Sequence, residues 1–336
     1  MRIIVCHAPF DVGIATAPEP VASEGEVLVR IRRVGLCGTD YHIFAGRHPF
    51  LAYPRVMGHE LAGEIESAPE GSTFRKGQIV AINPYLSCGS CIACRRGKPN
   101  ACANIRVLGV HVDGGMCEMI AVPERAVIDA TGLTLDQAAM LEFLAIGAHA
   151  VSRARLSAGD RVLVVGAGPI GIATALFAQL DGATVTLVDR RQARLEYARR
   201  NLGLDRTVLA GPDLAATLAE RTNGEMFDAV FDATGVLSAM AQSLSFVANG
   251  GSLVLVGVTQ GDLVFDDPEF HKRETTMLAS RNALAIDFER VIAAMRSGQI
   301  PSAALQTHSI EADDLPQQIP LLIAEADNVL KAIAHF

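Results

Sequence analysis

Apolar and polar positions alternate along the chain with two different periods, and the change of period divides it. Up to about residue 125 the apolar runs are short and alternate every second residue. "EVLVRIRRV" and "GQIVAI" are examples, with Gly and Pro between such runs. That pattern predicts a mostly β region. Near residue 134 the texture changes. "TLDQAAMLEFLAIGAHAVSRA" predicts a helix, with Thr134 as its N-cap and Gln137 three residues on completing a capping box. From 161 to about 258 the runs "RVLVVGA", "TVTLVDR", "AVFDATG" and "GSLVLVGV" alternate with helical segments, which predicts parallel βαβ units. The final stretch is mixed, with a helix expected over "AIDFERVIAAMRSGQI" and a strand at "NVLKAIAHF".

Bulk properties narrow the class. The 336 residues suffice for two domains, and half of them are hydrophobic. A net charge of −8 argues against a nucleic-acid or anionic-membrane surface. The richest apolar stretch is broken by Gly-Ala-Gly-Pro and turns from strand to helix composition, so no membrane span is expected. "MRIIVCHAPFDVG" lacks the apolar core and cleavage site of a secretory signal. A cytoplasmic protein with reduced thiols is therefore expected.

"VLVVGAGPIGIATALFAQ" sets Gly166, Gly168 and Gly171 in a G-x-G-x-x-G pattern between a predicted strand and a predicted helix. Such a turn brings backbone N–H groups and a helix N-terminus to a pyrophosphate. Asp189 ends the next strand, where an acid accepts hydrogen bonds from the adenosine ribose and repels a 2′-phosphate, favouring NAD over NADP. Arg190 and Arg191 weaken that preference, because an arginine just past the acid can cradle a phosphate.

Four of the seven cysteines, Cys88, Cys91, Cys94 and Cys102, fall in "CGSCIACRRGKPNAC". This C-x2-C-x2-C-x7-C spacing suits a closed tetrahedral zinc shell with no place for substrate, with an iron–sulfur cluster as the competitor. "GLCGTDYHIF" poses a separate question. Cys37 there could be a nucleophile, half of a disulfide, a metal ligand or a small buried side chain. Further on, "GHELAGEI" carries His59 and Glu60. A cysteine, a histidine and a carboxylate, with waters, make an open zinc site; a buried histidine alone is more often a satisfied core residue.

In their order along the chain, "GLCGTDYH", "GHELAGEI", the four-cysteine lobe, "LGVHVDGG", "EFLAIGAHA" and "VLVVGAGPIG" resemble the zinc-dependent medium-chain alcohol dehydrogenase family from end to end. The resemblance implies an α/β fold, with a GroES-like β-rich catalytic domain at 1–146 that carries a structural zinc lobe at 84–104. A Rossmann doubly wound parallel-sheet domain follows at 147–274, and a return segment at 275–336 completes the first domain. It implies two zinc ions per chain and NAD, a small-molecule substrate, and a homodimer or homotetramer. Cys37 and His59 become ligands of the catalytic zinc, and Glu60 and Glu142 become ligands or water-mediated partners of it. Thr39 is implied as the hydroxyl that takes the substrate proton, His42 as the relay towards solvent, and Asp40 as the acid that orients His59. The cofactor set implied is Gly166, Gly168, Pro169, Ile170, Gly171, Asp189, Arg190, Arg194, Thr234, Val256 and Gly257. One departure stands out: Phe143 follows Glu142 where relatives have proline.

"AGRHPFLAYPRVMGHE", "GKPNAC", "LGVHVDGG" and "SRNA" are similar to the branch that oxidises sugar acids and polyols. Galactonate and gulonate 5-dehydrogenases, starvation-sensing-protein homologues and sorbitol dehydrogenase belong to it. The resemblance implies that Arg281 matches an arginine facing the substrate cleft of polyol dehydrogenases, where a guanidinium fork suits a sugar-acid carboxylate, with Asn282 and His111 as hydroxyl partners. The expected reaction is oxidation of a secondary alcohol of a sugar acid or polyol to a ketone. Hexitol-type or threonine-type dehydrogenases are the alternatives within the class. A non-catalytic zinc- and nucleotide-binding sensor is the alternative outside it.

Overall fold

The computed structural model describes residues 1–47 and 51–336. Three residues of "AGRHPFLAYPRVMGHE", 48–50, lie outside that range. The chain forms two compact units. One comprises Met1–Glu142, Ile292–Gly298 and Leu305–Phe336; the other comprises Phe143–Val291 and Gln299–Ala304.

The first unit is built on β1 (Glu26–Leu36), β2 (Glu60–Ser67), β3 (Ile79–Ile82), β4 (Met119–Pro123) and β5 (Val127–Asp129). In β1, Val27, Val29 and Ile31 face the core while Leu28, Arg30 and Arg32 stay half-exposed, the two-residue period read from sequence. An irregularity between Ile31 and Arg33 then shifts the register against β2, so Val34 is buried in its turn. Between β1 and β2 lies α1 (Gly38–Phe44), a two-turn helix inside "GLCGTDYHIF" that the alternation pattern did not announce.

Thr134 caps α2 (Leu135–Ala139) as expected. Its hydroxyl accepts the Gln137 N–H at 3.1 Å, and Gln137 Oε1 accepts the Thr134 N–H at 2.9 Å. The single helix read over this stretch is in fact two. The first ends at Met140, its C-cap, whose N–H turns back to the Gln137 and Ala138 carbonyls, and the chain restarts as α3 (Leu141–Ala154).

The second unit carries the predicted βαβ alternation. It runs β6 (Arg161–Val165), α4 (Pro169–Leu180), β7 (Thr184–Asp189), α5 (Gln192–Leu202), β8 (Thr207–Leu209), β9 (Phe227–Asp232), β10 (Val247–Leu255) and β11 (Thr276–Ala279). These strands form one parallel sheet in the order β8-β7-β6-β9-β10-β11. That is the doubly wound order, in which ligands bind beyond the strand C-termini where the winding reverses. The predicted C-terminal helix is α6 (Ala285–Arg296).

Two strands then complete the first sheet, β12 (Gln306–Glu311) and β13 (Lys331–His335). The order there is β5-β3-β2-β1-β13-β12, with β4 also on β1. Because β13 pairs antiparallel with β1 in the register Ala332↔Leu36, Lys331 comes to the end of β1 next to Cys37. Among the described residues no helix is long and apolar enough to cross a membrane.

Candidate active site

The four-cysteine lobe is local and largely open to solvent. Its sulfurs lie 3.5 Å apart for Cys91–Cys94 and Cys88–Cys102, and 3.8 Å apart for Cys91–Cys102. A tetrahedron of Zn–S bonds about 2.3 Å long has edges of about 3.8 Å, so the four thiols fit that ion. Backbone N–H groups of Cys88 and Asn104 donate to Cys102 Sγ, and that of Cys91 donates to Cys88 Sγ, at 3.3–3.4 Å. The donors from Ser90 and Cys91 hold Cys88 down to about 5, whereas desolvation and its sister thiols push Cys94 up to about 11. Four sulfurs this close ionise together only around a cation.

The second cluster is buried. Cys37 N-caps α1, and the Asp40 carboxylate accepts the Cys37 N–H at 2.9 Å. Cys37 Sγ, a ring nitrogen of His59 and a carboxylate oxygen of Glu60 all lie within 4.8 Å of one another. Thr39 Oγ1 is 3.9 Å from Cys37 Sγ. His42 follows Thr39 by three residues, on the same helix face and exposed. Its pKa is lowered by partial burial and by Arg47. Asp40, fully buried, stands 3.9 Å from His59 Nδ1, longer than a hydrogen bond. Burial alone would lower the His59 pKa, but Asp40 and the Cys37 thiol raise it well above the usual histidine value. Asp40 Oδ1, His59 Nδ1 and Glu142 Oε2 are buried and have no hydrogen-bond partner among the described residues. A pocket of acidic side chains with orphaned donor atoms is suited to a divalent cation, and a Cys/His/carboxylate set suits zinc.

Sequence reasoning missed the residue that governs Glu60. Lys331 Nζ, also fully buried, donates to both Glu60 oxygens at 2.7 and 2.6 Å and to the Leu36 carbonyl at 3.1 Å. Its three donors are thereby used. Burial would depress the Lys331 pKa, yet Glu60 raises it, so the ammonium stays charged. Gly35 makes the room: a Cβ there would overlap the Glu60 carboxylate. The only sequence signal for Lys331 was a lone charge inside the apolar end "NVLKAIAHF".

Glu142, at the start of α3, lies beside this cluster but outside the 4.8 Å set. Its Oε1 accepts the Tyr85 hydroxyl. Burial, opposed by His59, lifts its pKa to about 7. Phe143, the departure from the familiar proline, is fully buried in α3. The "LGVHVDGG" stretch acts on His59 through its glycines. Gly58 has φ +92°, and Cβ atoms at Gly109 or Gly114 would run into the Gly58 backbone. His111 itself is exposed, its Nδ1 accepting the Val107 N–H at 3.2 Å.

In the second unit the glycine loop follows β6 as read. Gly166 has φ +105°, and a side chain at Gly171 would collide with the Gly166 carbonyl. Gly168 caps α4, with Pro169 at its first position and Ile170 at the next. Asp189 ends β7; its oxygens accept the N–H groups of Ala167 at 2.7 Å and Arg191 at 2.8 Å, fixing the loop to the next strand. Arg190 is exposed beside it. Arg194 lies close to Gly168, 3.7 Å from where a Cβ would sit. Thr234 Oγ1 donates to Asp232 Oδ1 at 2.6 Å, and the N–H groups of Val256 and Gly257 donate to the Asp232 carbonyl at 2.9 Å. The "DATG" and "VGVT" turns are thus held together by Asp232. Arg281 and Asn282 also belong to this unit, after β11, with Asn282 at φ +54°.

One unit with a doubly wound dinucleotide-type sheet, and another, β-rich, with one open and one closed metal-type cluster, define a zinc- and nicotinamide-dependent dehydrogenase. Residues 23–132 match the alcohol dehydrogenase GroES-like domain, and residues 169–297 match the zinc-binding dehydrogenase family. The chain is 41% identical to L-galactonate-5-dehydrogenase of Escherichia coli K12, over all of this chain and 99% of that one. It is 32% identical to 2-dehydro-3-deoxy-L-galactonate 5-dehydrogenase of Pseudoalteromonas atlantica, over 86% of this chain and 84% of the relative. The rspB alcohol dehydrogenase of E. coli CFT073, solved with NADH, superposes with a TM-score of 0.94 at 30% identity, covering 100% of this chain and 99% of that one. The chain belongs to the zinc-dependent medium-chain alcohol dehydrogenase family and has the NAD-linked, zinc-type dehydrogenase activity of that class.

Proposed function

We propose that the enzyme oxidises a secondary alcohol of a sugar acid to a ketone with NAD. The observation that carries this is the buried convergence of Cys37, His59 and Glu60 at the N-terminus of α1, directly before Thr39 and His42. In this reading Cys37, His59 and a carboxylate from Glu60 or Glu142 hold one zinc ion, and Cys88, Cys91, Cys94 and Cys102 hold the second. When bound, the first supplies Lewis acidity to a substrate oxygen, and the nicotinamide accepts the hydride. Thr39 takes the hydroxyl proton, and His42, exposed one turn further along, passes it to solvent. Asp40 steadies the His59 ring from behind.

Gly166, Gly168, Pro169, Ile170, Gly171, Arg194, Thr234, Val256 and Gly257 line the cofactor, and Asp189 meets its adenosine ribose. Arg281 pairs with the substrate carboxylate, and Asn282 and His111 serve its hydroxyls. The sugar-acid specificity is supported by the 41%-identical galactonate relative. A homodimer or homotetramer is supported by the uncovered edge strand β11 and by exposed Val258, Val264 and Phe265 in the same unit. Seven cysteines, none of them in a disulfide among the described residues, suit a reducing compartment such as the cytoplasm. NADH production across a panel of aldonates, hexitols and threonine tests the substrate class. Turnover of hexitols but not aldonates would replace the sugar-acid reading, and no turnover with about one zinc per chain would favour a sensor.

A further inference from the structure

Two carboxylates of the buried centre have one oxygen occupied and the other without a partner among the described residues: Asp40, whose Oδ2 accepts the Cys37 N–H, and Glu142, which is held by a side chain far away in sequence. Both Glu60 oxygens are taken by Lys331. Glu142 Oε1 accepts the Tyr85 hydroxyl, while Oε2 is buried without a partner among the described residues, on a residue only 4% exposed. A buried carboxyl oxygen left without a partner is a place for a cation, a water or a substrate hydroxyl. Tyr85 is well placed to control which oxygen is left. It lies in a two-residue strand, Tyr85–Leu86, that pairs with Arg106–Val107, and its N–H donates to Asn83 Oδ1 at 3.0 Å. Anchored at both backbone and hydroxyl, it holds a carboxylate whose terminal torsion would otherwise turn freely.

We propose that Tyr85 is a positioning residue that keeps Glu142 Oε1 occupied, so that Glu142 offers the catalytic cation one oxygen and the position needed by substrate stays open. The inference rests on the reading of this centre as a catalytic zinc site. Without the phenol, Glu142 can turn either oxygen, or both, onto the ion and compete with the incoming hydroxyl. Hydrogen bonds to ligating carboxylates orient them and tune metal affinity; here, where the phenol withholds one oxygen, its loss tightens the hold on the ion.

The test uses the full-length protein with cobalt in place of zinc, as wild type, Tyr85→Phe, Glu142→Gln and the double variant. Visible absorption, the rate of cobalt loss to a chelator, and KM against kcat are recorded for each. The cysteine lobe contributes equally to all four spectra, so differences belong to the buried centre. Tyr85→Phe is expected to change the spectrum, slow cobalt loss by about 10-fold, and raise KM more than it lowers kcat. In the Glu142→Gln background the same change should have no further effect. A wild-type spectrum and loss rate in Tyr85→Phe, or an undiminished effect in the double variant, overturns the proposal. If Tyr85→Phe does not fold, Tyr85→Met removes the same donor and is held to the same outcomes. Wild type that takes up only one cobalt per chain, or fails to reduce NAD, overturns the zinc-enzyme reading and this proposal together. Two metals and turnover in wild type leave Tyr85→Phe to judge the proposal alone.

Discussion

The cysteine lobe and the buried centre both gather metal-binding side chains in the first unit, by opposite means. The lobe takes four identical soft donors from one fifteen-residue segment and holds them at the surface with its own backbone N–H groups. The centre takes a thiol, an imidazole and carboxylates from α1, the Gly58 turn and the start of α3, and balances them with Lys331 from the last strand. The lobe's sulfurs take their backbone donors from within residues 88–104, whereas Glu60 and Glu142 in the centre are held by Lys331 and Tyr85, far away in sequence. A closed set of like ligands suits a structural ion, and a mixed, partly unsatisfied set suits an ion that must accept another ligand.

The sharpest way to break this comparison is to exchange the phenotypes. Cys37→Ala or His59→Ala should reduce NADH production to background with little change in melting temperature. Cys91→Ser should instead lower the melting temperature or alter assembly. Retained activity in the first pair, or an unaltered melting temperature in the third, would show that the two roles are misassigned.

Lys331→Met leaves Glu60 buried and uncompensated, and breaking a buried pair costs about 3–5 kcal/mol. Denaturant titration should show a loss of that order. A loss under about 1 kcal/mol, the scale of an exposed pair, would mean that the centre tolerates an unpaired acid.

The thiols sharpen the contrast further. Once metal is stripped, Cys88, held at about 5, is a thiolate at pH 7, and its labelling should fall only as pH drops through that value. Burial pushes Cys6 up to about 11 and Cys117 up to about 12, so both remain protonated thiols at pH 7. Alkylation followed by peptide mapping should mark Cys88 first and those two last. The reverse order would discredit the local donor network.

The smallest effect is expected in the second unit. Asp189→Ala should erode the preference for NAD over NADP and also loosen the glycine loop that Asp189 pins through the Ala167 N–H. Equal rates with both cofactors in the unmutated protein would remove the basis for that preference.

Much of this was legible beforehand, and the reasons are local. Strand alternation in β1, the Thr134–Gln137 capping box, the Gly166–Gly171 turn and the cysteine spacing each depend on residues a few positions apart. The break at Met140 and the helix α1 were not legible, because a short helix between strands has too few turns to show a period. The partners of the predicted site residues were hidden for a different reason. Tyr85 and Glu142 are 57 residues apart, and Lys331 and Glu60 are 271 apart.

The sequence by itself determined the parallel nucleotide-type sheet and the cysteine lobe, which follow from short-range geometry. Its resemblance to the zinc-dependent dehydrogenases singled out Cys37, His59 and Glu60 as a set, which sheet pairing then had to bring together. Only the tertiary structure decided that Lys331 saturates Glu60, that Gly35 and Gly58 clear the space around the cluster, and that Tyr85 leaves Glu142 one open oxygen. Charge compensation and steric room in a dry interior depend on which strands become neighbours, and sheet pairing sets that only after the chain has folded.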